Sequence, residues 1–72
     1  MTDDVLSFLE KNYGKRLRLV FTDGKSMECL FDGYSYDFDE EDKEFLELDF
    51  ERLSDGLCIC VTPAELQSVE VA

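Results

Sequence analysis

LRLVFTDGKSMECLFDGYSY, residues 17–36, is the stretch whose reading decides the fold. Leu17, Leu19 and Phe21 fall on one side, with Arg16, Arg18 and Val20 on the other, which is the two-residue period of a half-buried strand. Asp23-Gly24 then turns the chain. The pair reads as the centre of a two-residue hairpin, where both positions need positive φ. Alternation resumes through Met27, Cys29 and Phe31 and slips by one residue at Gly33, so Tyr34, Tyr36 and Phe38 are expected to face inward. A slip of phase at a glycine marks a bulge or a sharp bend. One strand that serves two parts of a curved sheet is the device of a small barrel.

Working outward, Thr2 caps an expected helix with Asp3 and Asp4 in its first turn, where negative charge suits the dipole. Val5, Leu6, Leu9 and Tyr13, with Phe8 beside them, line one side of it, and Gly14 supplies the stop. So short a helix must dock its apolar side on the rest of the chain, at the barrel's open end or edge. Beyond the bent strand, Asp37, Asp39, Glu40, Glu41, Asp42 and Glu44 crowd together with only Lys43 among them, which reads as an extended, solvated loop. Leu46, Leu48 and Phe50 then alternate with Glu47, Asp49 and Glu51 in a third strand.

Ser54-Asp55-Gly56 makes the next turn, and Leu57, Ile59 and Val61 form a fourth strand with Cys58 and Cys60 on its reverse, read as covered on both sides. Thr62-Pro63-Ala64-Glu65 fits a capping box around one helical turn, and Leu66, Val69 and Val71 follow as a fifth strand. The expected fold is mainly β: an N-terminal α-helix over residues 1–13, then a five-stranded, strongly bent antiparallel small β-barrel over residues 15–72, in one domain.

Composition bounds what such a domain does. A chain of 72 residues removes only about 60% of its unfolded surface from water, which leaves room for one core. The 44% hydrophobic and 35% charged content is that of a folding globular chain. No apolar run is long enough for a membrane span and the acidic start is unlike a secretory signal, so a cytoplasmic location is expected. Three cysteines without histidine give no zinc spacing, and they read as reduced packing residues. Asp37, Asp39 and Glu41 imitate the start of a calcium loop, but its sixth position is Asp42 and its twelfth is Leu48. No metal, cofactor or catalytic residue is expected, since no histidine, nucleophile elbow or phosphate-cradling loop is present.

The order of these elements resembles the Sm-like (Lsm) family, whose barrel is of the Src-homology-three type. Gly14-Lys15-Arg16-Leu17-Arg18-Leu19, Thr22-Asp23-Gly24-Lys25 and Met27-Glu28-Cys29-Leu30-Phe31 look like the first half of its first motif. The resemblance implies the fold and self-association through edge strands, and it brings in RNA binding as a property of many members. The chain departs from the family at Cys29, where glycine is usual. It departs again at Tyr34-Ser35-Tyr36-Asp37, which lacks the RNA-loop pattern, and at Thr62-Pro63-Ala64, which replaces a basic-glycine element.

A net charge of −11 disfavours phosphate chains and favours a basic protein partner. The expected function is therefore an acidic, non-catalytic binding or assembly module that meets a basic protein or imitates nucleic acid. Its surface is Asp37, Asp39, Glu40, Glu41, Asp42, Glu44, Glu47 and Asp49. The alternative is an RNA-binding Sm-like ring using Lys15, Arg16, Arg18 and Lys25, although Arg16 and Arg18 equally suit cross-strand pairs with acids.

Overall fold

The chain is described by a computed structural model that covers residues 2–72, with side chains from Val5 onward. Helix α1 (Thr2–Lys11) precedes strands β1 (Leu17–Phe21), β2 (Ser26–Phe38), β3 (Glu44–Arg52) and β4 (Cys58–Val61). A 3-10 turn, η1 (Pro63–Glu65), leads into β5 (Leu66–Val71). The cap expected of Thr2 and the charges of Asp3 and Asp4 lie outside the described side chains.

All five strands belong to one antiparallel sheet in the order β4-β3-β2-β1-β5. This differs from the expected barrel. Strand β4 pairs only with β3 and β5 only with β1, so the outer edges of β4 and β5 do not meet and the sheet stays open. The helix closes the core instead. Val5, Leu6, Phe8 and Leu9 pack against Leu17, Leu19, Cys29, Phe31, Leu46, Leu48, Phe50 and Val61, and Leu9 is wholly buried. Among the described residues no polar or charged side chain is buried. The core is therefore held by apolar area alone.

The phase slip in β2 is real. Phe31 faces Phe50 and Gly33 faces Asp49, which leaves Asp32 as the extra residue of a bulge. Thirteen residues would span about 40 Å if straight, at about 3.3 Å each, yet the longest dimension of the whole molecule is 35 Å. The strand is bent. Its first part pairs with β1 over Ser26–Cys29 and its second part with β3 alone, so residues 33–49 form an arm whose base, at Leu46 and Leu48, belongs to the core and whose far part has neither β1 nor β4 beside it.

Two turns correct the sequence reading. At the first hairpin the Gly24 N–H donates to the Phe21 carbonyl and the Phe21 N–H to that of Lys25, while only Gly24 has positive φ (89°). The loop therefore has three residues, Thr22-Asp23-Gly24, with glycine at the left-handed bulge position. The Asp23 carboxylate steadies it by accepting from the Lys25 N–H at 2.9 Å.

The acidic segment folds the same way, and it is not an extended loop. The Asp42 N–H donates to the Asp39 carbonyl and the Asp39 N–H to that of Lys43, with Asp42 at φ 60°. Asp39 Oδ1 accepts from the N–H groups of Glu41 (2.8 Å) and Lys43 (3.0 Å). These local bonds outweigh the repulsion that sequence alone emphasised, and they leave Asp37 inside β2 and Glu44 inside β3.

A left-handed aspartate is costlier than a glycine in that conformation. Asp42→Gly is expected to raise stability by about 0.5–1 kcal/mol, or roughly 2–8 °C in melting temperature. Thermal unfolding followed by circular dichroism checks this, and a lowered midpoint would refute the turn.

The remaining turns follow the reading more closely. In the loop before β4, Arg52 grips Asp55 through Nε to Oδ1 (2.9 Å) and Nη2 to Oδ2 (2.6 Å). That hydrogen bond, with the Leu57 N–H beside it, holds the Asp55 carboxyl below its usual range, and Asp55 in turn raises Arg52. At η1 the Glu65 carboxylate accepts from the Thr62 N–H (3.0 Å), the reach-back bond of a capping box, and also from the Thr62 hydroxyl (2.9 Å).

The helix ends at Lys11, earlier than expected. Tyr13 is 62% exposed and stands edge-on to Phe31 at 6.0 Å, with its hydroxyl donating to the Asp32 carbonyl at 3.4 Å.

Candidate functional site: the β2–β3 arm

Alternation along the two paired strands sorts the expected acidic surface into three places. Asp37, Glu47 and Asp49 lie on the outer face, away from the helix, where Ser35 pairs with Glu47 and Asp37 with Phe45. Asp39, Glu40, Glu41 and Asp42 form the exposed tip. Glu44 pairs with Phe38 and so belongs to the inner face, the side that carries Leu46 and Leu48. The eight residues share one arm but do not form a single plane. Lys43, the one cation among them, lies 3.7 Å from Glu41 and both are well exposed.

The inner face of the arm holds a feature that the period alone did not reveal. Tyr34, Tyr36 and Phe38 do share the core side, since they pair with Leu48, Leu46 and Glu44. They are nevertheless 46%, 54% and 60% exposed, and none of them packs against the core cluster. The expected inward burial is thus overturned by a lack of cover, with the direction correct. The rings of Tyr34 and Tyr36 meet edge to face at 6.1 Å. Beside Tyr36 an open cleft of about 380 Å³ is lined by Glu44, Phe45, Leu46, Thr62, Pro63 and Ala64.

Of the three cysteines, one keeps the expected packing role and two depart from it. Cys29 is buried, and burial pushes its thiol up to about 11. Cys58 and Cys60 are exposed, so β4 is covered on one side only. Leu57, expected inside, precedes β4 and is exposed too.

Cys60 pairs with Asp49, and its thiol donates to Asp49 Oδ1 at 3.3 Å. That hydrogen bond first, then desolvation and the charges of Asp49 and Glu47, raise Cys60 to about 11. One donor atom from each of Glu47, Asp49 and Cys60 lies within 4.8 Å of the others, the arrangement among the described residues that could hold a metal ion. Counting from a three-residue Ser54–Gly56 turn puts Cys60 opposite Phe50; the Arg52 N–H donates to the Leu57 carbonyl and closes a four-residue loop instead, which sets Cys60 opposite Asp49.

The four basic residues do not form one cluster, although Arg16 and Arg18 share Glu28. Arg16 lies 3.6 Å from Glu28, and Arg18 lies 3.7 Å from both Glu28 and Glu70. Arg18 pairs across β1 with Glu28 on one side and Glu70 on the other, so the strand register itself sets these contacts. Such exposed pairs add little stability. Lys25 follows the far end of β1, about 20 Å along the strand direction from Lys15. The four residues of the alternative site therefore make no single patch.

An open antiparallel sheet capped by one helix, with an acidic arm that exposes aromatic rings, is the class of protein this defines. The chain matches no known protein family, no curated protein and no solved structure. Among the described residues no helix is long and apolar enough to cross a membrane.

Proposed function

We propose that this chain is an acidic, non-catalytic binding module on an Sm-like sheet, and that its β2–β3 arm meets a basic protein surface. The observation that carries the reading is the distribution of charge. Carboxylates occupy the tip and both faces of one projecting arm, whereas Arg16 and Arg18 are each set against acids elsewhere. A basic surface gains from such a field in encounter rate and orientation, and a phosphate chain is repelled by it. Imitation of nucleic acid, with carboxylates in place of phosphates, is one form of the same reading. The element order and bent second strand support the Sm-like part of the proposal.

Fluorescence anisotropy tests it with labelled octa-arginine and with short U-rich and A-rich oligonucleotides. The peptide is expected to bind at about 20 mM salt and to weaken at least tenfold by about 150 mM, as screening shortens the reach of exposed charges. The oligonucleotides are expected to show no binding. Tighter binding of either oligonucleotide than of the peptide overturns the proposal.

The unpaired outer edges of β4 and β5 favour a second reading, an RNA-binding ring that uses Lys15, Arg16, Arg18 and Lys25. Light scattering separates the two, because this reading requires a closed assembly of several copies and the first does not.

A further inference from the structure

We propose that the free edge of β2 from Gly33 to Phe38 takes up an extended, arginine-bearing segment of a partner as an added strand. The proposal rests on the reading of a basic partner and goes beyond it by naming the surface and the mode. Strand β1 pairs with β2 only as far as Cys29, and the chain turns away from that edge at Gly14 (φ 85°). Among the described residues no strand pairs with Gly33–Phe38 on the side away from β3.

Alternation fixes which backbone groups are free. The Asp39 N–H points to β3, where it donates to Lys43, so the N–H of Phe38 points the other way. The Asp37 carboxylate takes it at 2.8 Å. By the same period the N–H and carbonyl of Tyr34 and of Tyr36 face outward, each free to pair. The residues that offer these groups also carry the exposed rings.

A strand laid here aligns its alternate side chains over Tyr34, Tyr36 and Phe38 and the Glu44 carboxylate, and sends the others toward Asp37 on the outer face. Arginine suits the inner side: its stem covers apolar surface, its planar head stacks on rings, and its fork matches a carboxylate. A second copy of this chain would bring another arm of the same sign against the tip, in a molecule of net charge −11, so charge selects a basic occupant.

The test uses the full chain and a synthetic octapeptide of alternating arginine and threonine, with a version N-methylated at alternate backbone amides and equal in charge. Hydrogen exchange by nuclear magnetic resonance is expected to show new protection at the Tyr34 and Tyr36 amides on binding. N-methylation is expected to weaken the peptide at least tenfold, and Tyr36→Ala about fivefold. Tyr36→Pro removes an outward N–H without touching the β3 ladder and is expected to match the methylated peptide's loss.

Equal binding of both peptides without protection at Tyr34 and Tyr36 overturns strand addition while leaving the basic-partner reading intact. Failure of the unmodified peptide to bind at low salt overturns both. Protection at these amides in the chain alone, with a dimer by sedimentation, assigns the edge to a second copy and overturns the proposal.

Discussion

Phe50→Ala is expected to cost about 3–5 kcal/mol and to leave much of the chain unfolded at room temperature. Phe50 is wholly buried near the C-terminal end of β3, stands 5.7 Å from the ring of Phe31, and pairs across the sheet with Ile59. It joins the two parts of the sheet on either side of the bulge. The remaining core cannot collapse around the vacancy, because the helix above and the strands beside it are fixed by their own packing. At roughly 0.05–0.15 kcal/mol per residue, a 72-residue chain has about 4–11 kcal/mol in total, so the loss is most of the margin. Urea unfolding measures it, and a midpoint shift equivalent to less than about 1 kcal/mol would contradict the assigned packing.

Asp49→Asn is expected to make Cys60 react about five to ten times faster with iodoacetamide near neutral pH. The wild-type thiol is held at about 11, against 9.0 for the free group, chiefly by its hydrogen bond to the Asp49 carboxylate. An amide removes that charge. Full release would increase the thiolate about a hundredfold, but a less basic thiolate is a weaker nucleophile, which gives back about tenfold. Glu47 remains and trims the gain further. Peptide mapping of alkylation against time checks the result, with buried Cys29 as the slow reference. An unchanged rate at Cys60 would show that Asp49 does not control it.

What the sequence disclosed was direction. The two-residue period placed Leu17, Leu19, Leu46, Leu48 and Phe50 on the buried side, and the slip at Gly33 located the bulge, because pleating and the twofold alternation of side chains are local properties. Cover is not local. Tyr34 and Leu48 face the same way on neighbouring strands, yet one is half exposed and the other wholly buried. Barrel closure failed for the same reason: it depends on whether two distant edges come together, and no short-range pattern records that.

The turns failed differently. Charge and glycine content suggest one form for Asp23-Gly24 and Asp39–Lys43, whereas the turns depend on carboxylates accepting nearby backbone N–H groups. For the acidic surface, the strand register was needed before its eight residues could be divided between tip and faces.

The bulge at Asp32 separates two kinds of obligation. On one side of it nearly every side chain is answerable to its neighbours for keeping the chain folded, and beyond it the arm's outermost side chains answer chiefly to solvent. Recognition in such a molecule is free to drift: residues near the tip can be exchanged to suit a different counterpart while the interior is left as it was.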